Sequence, residues 1–102
     1  MNVLLHNKLD QIGELCQRHR VKSLEVFGSA AGDDFDLQRS DVDFLVEFLP
    51  LDEGQYADTY FGLLEGLERL LERPVDLVMT SAIRNRYFLE SAEKTRTPIY
   101  AD

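Results

Sequence analysis

Basic residues are scarce in this chain: eleven lysines and arginines face nineteen aspartates and glutamates, leaving a formal net charge of −8. A surface of that sign repels phosphate backbones, so direct binding to DNA or RNA is not expected. The excess acidity suits metal cations or a basic protein partner instead. Cysteine is nearly absent. Cys16 alone rules out an internal disulfide, and its spacing with Leu5, Leu9 and Ile12 places it on an apolar helix face as a structural thiol. Apolar runs are only a few residues long, and MNVLLHNKLDQ has neither a basic leader nor a greasy stretch. The expectation is a cytoplasmic protein that does not enter membranes. His6 and His19 have no partner at metal-ligand spacing and read as helix-surface residues. There is no repeat, low-complexity tract or linker, so residues 1–102 are expected to form one domain with a modest core.

What is present is a regular alternation of helix and strand patterns. Residues 4–19 carry apolar groups at helical spacing, and VKSLEVF then turns to strand character. GSAAGDDFDLQRS has the chemistry of a loop, although the small residues after Gly28 admit a short helix. In DVDFLVEF, the two-residue period puts Asp41 and Asp43 on one face and Val42, Phe44, Val46 and Phe48 on the other. Tyr60, Leu63, Leu64, Leu67, Leu70 and Leu71 mark an amphipathic helix stopped by Pro74. PVDLVM is again a strand, with Asp76 and Val78 facing away from Val75, Leu77 and Met79. Ser81 suits the cap of a last helix over residues 83–94, and PIY is a short extended piece. The fold class is α/β (α+β): a small mixed sheet with helices packed on it.

Three aspartates interrupting apolar strands need compensation, because a carboxylate is costly to desolvate without a cation or several donors. Asp41 and Asp43 lie about 6–7 Å apart along a strand, close enough to share an ion. Magnesium suits such oxygen ligands, since it is commonly held by one or two carboxylates together with substrate phosphates. Upstream, Gly28-Ser29 closes the first strand, where a position without a side chain lets phosphate approach backbone amides and Ser29 adds a hydroxyl. Each feature has a blander reading. Single strand aspartates can cap loops or pair with Arg39 or Arg73, and such pairs add little stability. A calcium loop from Asp36 through Gln38, Ser40 and Glu47 fails because Asp41 stands where glycine is needed. Arg84, Arg86, Tyr87 and Phe88 read as a solvated helix with a buried aromatic face, and Tyr56 and Tyr60 as core or interface groups.

The ordered combination in VFGSAAGDDFDLQRSDVDFLVEF, followed by PVDLVM, resembles the minimal nucleotidyltransferases of the polymerase-β-like superfamily. The likeness covers nearly the whole chain. The family pattern is Gly-Ser, about ten residues, then Asp-x-Asp; here the gap is residues 30–40. Many relatives carry arginines just after Gly-Ser, where this chain has Ala30, Ala31 and Gly32. The resemblance implies that Asp41 and Asp43 bind two magnesium ions, that Asp76 completes one of them beside the attacking hydroxyl, and that Gly28 and Ser29 hold ATP. It further implies a HEPN-family ribonuclease toxin as partner in a hetero-oligomer, with AMP passing from ATP to a toxin tyrosine and this chain acting as antitoxin. Two other functions fit the residues less fully: a binding module that neutralises the toxin by occlusion, and a small-molecule nucleotidyltransferase completed by another subunit.

Overall fold

The computed structural model describes residues 3–27, 42–80 and 97–102. The chain opens with two helices, α1 (Val3–His6) and α2 (Leu9–Arg18), where apolar spacing predicts one. The break falls at Asn7 and Lys8, where the Lys8 N–H turns back to the Leu5 carbonyl at 3.0 Å. Asparagine favours such local turns over continued helix. Leu5, Ile12 and Cys16 nevertheless all reach the core fully buried. Burial pushes the Cys16 thiol up to about 12, which keeps it protonated and inert, as a structural thiol should be.

Strand β1 (Val21–Phe27) pairs antiparallel with β2 (Val42–Phe48). A 3-10 turn, Glu53–Gln55, then leads into α3 (Tyr56–Leu71). A capping box starts it, with the Asp52 N–H bound to Gln55 Oε1 at 3.1 Å. Pro74 lies just past the end of α3, as expected of a stop. The helix ends three residues earlier, at Leu71, because Glu72 turns left-handed (φ 57°) and returns its N–H to the Glu68 carbonyl at 2.8 Å. Strand β3 (Val75–Met79) follows, parallel to β2, as a strand–helix–strand crossover requires. Strand β4 (Thr97–Ala101) contains the PIY segment and adds antiparallel to β1. The sheet order is β3-β2-β1-β4. Pro98 can sit within β4 because that strand is an edge among the described residues, with one side free of ladder bonds.

One face of the sheet makes the core. Val42, Phe44, Val46 and Phe48 of β2, with Leu24 and Val26 of β1, meet Leu63, Leu67 and Leu71 of α3 and Ile12 and Cys16 of α2. Leucines four residues apart present one helical stripe, and each fully buried leucine contributes roughly 1.5–3 kcal/mol of transfer free energy. The other face carries a smaller cluster, Phe27 and Leu45 with Val78 against them. Among the described residues no helix is long and apolar enough to cross a membrane. The expected short helix after Gly28 and the expected last helix over residues 83–94, with Arg84, Arg86, Tyr87 and Phe88, lie outside the described residues.

Candidate active site

The alternation of β2 and β3 does more than separate polar from apolar residues; the register between them brings two carboxylates together. Asp43 and Asp76 are Cα partners across the parallel pair, with Leu45 and Val78 forming the next rung on the same face. Phe27, the last residue of β1, lies opposite Asp43 on its other side. Asp43 is half-buried and Asp76 exposed. Beyond the pair, Phe27, Leu45 and Val78 form an apolar floor. Gly28, Ser29 and Asp41 lie outside the described residues. The strands that border them end at Phe27 and begin at Val42, at the same end of the sheet as the Asp43–Asp76 rung.

Adjacent strands stand about 4.8 Å apart, so two in-register carboxylates repel unless something positive joins them. The donor set is made of hard oxygens, one group partly shielded and one open to solvent. That fits a magnesium ion, which keeps waters and accepts substrate phosphate oxygens. Among the described residues no group of three or more His, Cys, Asp or Glu side chains converges on one position, so Asp43 and Asp76 are the pair they contribute.

Helix α3 touches this rung from outside. Glu68 Oε2 accepts the Val75 N–H at 3.1 Å, and the Tyr60 hydroxyl donates to the Leu77 carbonyl. Val75 and Leu77 are the two neighbours of Asp76. Burial raises the Tyr60 hydroxyl above its ordinary pKa, and the Asp76 charge adds to that, so it stays a proton donor at neutral pH. Sequence reasoning placed Tyr60 in the core or at an interface and passed over Glu68. The available signal was a glutamate set among Leu64, Leu67 and Leu71, eight residues from Tyr60. Tyr56, read in the same way as Tyr60, is exposed, as is Phe61.

His19 also departs from expectation. Rather than lying on an open helix surface, its ring is half-buried against α3, where a Cβ built on Gly62 would fall 3.1 Å from His19 Cε1. Burial, and secondarily the Arg18 charge, lower its pKa. His6 is exposed, as expected. Glu47 lies in strand β2, paired with Lys22 at 3.6 Å, which removes it from any calcium-loop helix.

The sequence pattern of the nucleotidyltransferase domain family matches residues 10–99. A protein of Methanocaldococcus jannaschii, provisionally named a protein adenylyltransferase, is 39% identical over 80 residues, 78% of this chain and 78% of that protein. A solved structure provisionally described as a minimal nucleotidyltransferase superposes with a TM-score of 0.75 at 30% identity, covering 92% of this chain and 91% of that one. A second, the MNT antitoxin in complex with tri-AMPylated HEPN toxin of Shewanella oneidensis, gives a TM-score of 0.64 at 17% identity over 96% of this chain and 73% of that one. At that identity the likeness is one of fold. The polymerase-β-like arrangement of a mixed four-stranded sheet with helices on it is common to them.

Proposed function

The chain belongs to the nucleotidyltransferase domain family, and from that membership we propose that it transfers AMP from ATP to a tyrosine hydroxyl of a HEPN-family toxin and so acts as its antitoxin. One observation carries this reading. In a family that works on nucleoside triphosphates, the two described aspartates interrupting apolar strands are brought into the same rung of the sheet. The AMPylated toxin held by a protein of the same fold supports the choice of acceptor.

In this reading Gly28 and Ser29 hold the triphosphate, while Asp41, Asp43 and Asp76 hold two magnesium ions. When bound, the metal supplies charge neutralisation at the phosphates and lowers the barrier to in-line displacement. The toxin hydroxyl oxygen attacks the α-phosphorus, the bond to the bridging oxygen breaks, and pyrophosphate leaves with that electron pair. The hydroxyl proton passes to the Asp76 carboxylate. Residues 1–102 form a single domain that supplies the phosphorus chemistry, and the toxin supplies and positions its own acceptor in a hetero-oligomer. The acidic surface favours a basic protein over nucleic acid as that partner. The site of action is the cytoplasm.

Label from the α-phosphate of ATP should move onto the co-encoded toxin. The Asp41→Asn, Asp43→Asn double variant should lose that transfer while keeping its fold by circular dichroism. A double variant that labels the toxin as well as wild type refutes the catalytic role. A wild type that silences the toxin without labelling it replaces transfer with occlusion.

A further inference from the structure

Strand β3 is an edge strand among the described residues, with β2 on one side and α3 reaching over its other side. In a parallel ladder alternate residues turn their N–H and C=O groups to opposite sides. The Val42 N–H takes the Pro74 carbonyl at 3.2 Å, which assigns the even-numbered residues of this segment to β2. Val75 and Leu77 therefore point their backbone groups outward, and both meet a side chain of α3. Glu68 takes the Val75 N–H and Tyr60 holds the Leu77 carbonyl. The helix thus holds the Pro74–Val75 and Leu77–Val78 peptide units, which bracket the segment Val75–Leu77 with Asp76 at its centre.

This fastening is separate from the packing that joins helix and strand. Leu63, Leu67 and Leu71 already dock α3 against Leu77 and the rest of the core. Apolar contacts of that kind are non-directional and tolerate small sliding, whereas hydrogen bonds at the two ends of the Val75–Leu77 segment set its height and rotation. Asp76 stands at the centre of that segment, and its carboxylate must keep register with Asp43 for the two to share an ion.

We propose that Tyr60 and Glu68 are positioning residues that hold the Asp76 carboxylate in register with Asp43 and so set the affinity of the metal site. The inference rests on the reading of Asp43 and Asp76 as metal ligands given above. Tyr60 and Glu68 act through Asp76, and their effect should vanish when Asp76 can no longer bind metal.

The test uses the full chain with ATP and Mn2+ as a spectroscopic substitute for magnesium, free Mn2+ being read by electron paramagnetic resonance. Tyr60→Phe keeps the ring and its edge contact with Phe61, at 5.0 Å between centroids, and removes only the hydroxyl. Glu68→Ala removes the acceptor, and Glu68→Gln retains one. Loss of one net hydrogen bond predicts that Y60F and E68A each weaken Mn2+ binding about fivefold, while E68Q stays within about twofold of wild type. In an Asp76→Asn background Y60F and E68A should add nothing further. Thermal unfolding of each variant establishes that it is folded at the assay temperature. Folded Y60F and E68A proteins that bind Mn2+ as tightly as wild type overturn the proposal, as does an equal weakening in the D76N background. A wild type that binds no Mn2+ with ATP refutes the metal-site reading itself and this inference with it. A wild type that binds Mn2+, responds to the variants as described and never transfers label upholds the clamp and refutes the transferase.

Discussion

Replacing Asp76 by asparagine should make the metal-free protein more stable and the magnesium-loaded protein less stable than wild type. Asp43 and Asp76 sit on neighbouring strands at the same level. At about 5 Å two unit charges repel by about 0.8 kcal/mol in a water-like dielectric. Asp76 is exposed and salt screens it further, so about 0.5 kcal/mol is the repulsion that D76N should relieve. For a domain of this length 1 kcal/mol moves the melting temperature by about 4–8 °C, which puts D76N about 2–4 °C above wild type in EDTA. Magnesium at ten times its dissociation constant stabilises the folded wild type by about 1.4 kcal/mol, or about 6–11 °C, and should do little for D76N. The order of the two melting curves therefore reverses between EDTA and magnesium. Circular dichroism melts at neutral pH and low salt, with and without magnesium, measure both differences. A D76N protein that melts at or below wild type in EDTA refutes the repulsion assigned to the pair, and one that gains as much from magnesium refutes its role as a metal site.

Gly13 in α2 and Gly62 in α3 offer a contrast. Both are inside helices, but a Cβ at Gly13 meets nothing within 4 Å, whereas one at Gly62 falls 3.1 and 3.3 Å from the His19 ring. Gly13→Ala should stabilise by about 0.5–1 kcal/mol through helix propensity, and Gly62→Ala should lose that gain by displacing the ring, a ranking that urea denaturation resolves. His19 itself should make stability depend on pH. Its folded-state pKa is depressed, by burial first and by Arg18 second, so the unfolded chain binds its proton more readily. The His19 contribution is full above the unfolded value of about 6.5 and is lost as pH falls through the lower folded value. His19→Gln should flatten that part of the profile; a difference between wild-type and H19Q urea midpoints that stays constant between about pH 7.5 and 5 refutes it.

Much of this arrangement is legible in the sequence because strands declare their faces by parity. Val42, Phe44 and Val46 against Asp43, and Leu77 against Asp76, give both the core and the candidate site from a two-residue period. Pairing is not encoded so locally. That Asp43 stands beside Asp76, and not one rung away, depends on the length of α3 and on where the turn at Glu72 lets β3 begin. The helix ends escaped for a related reason. Proline is a visible stop, but the left-handed turn that closes the last ring falls on a glutamate, which its residue type does not announce. Glu68 and Tyr60 were hidden because their partners are backbone atoms of a strand, seven and seventeen residues away. A side chain's identity shows that it can bond to a peptide group, not which one.

Parity also decides how stability and chemistry divide in so small a chain. In β2 the even-numbered residues Val42, Phe44, Val46 and Phe48 are buried in the larger cluster under the helices, while Asp43 and Leu45 face the other way. In β3 the odd-numbered Val75, Leu77 and Met79 serve that same cluster, and Asp76 and Val78 oppose it. Each strand thus carries the core on one side and the carboxylates on the other, with only the thickness of the backbone between them. A substitution such as Phe44→Ala opens a cavity expected to cost about 3–5 kcal/mol and takes the site down with the fold. A carboxamide at position 43 or 76 leaves the packed face untouched. Loss of function without loss of fold is therefore confined to one face, and the helix reaches that face through the edge of β3, by way of Tyr60 and Glu68, without burying it.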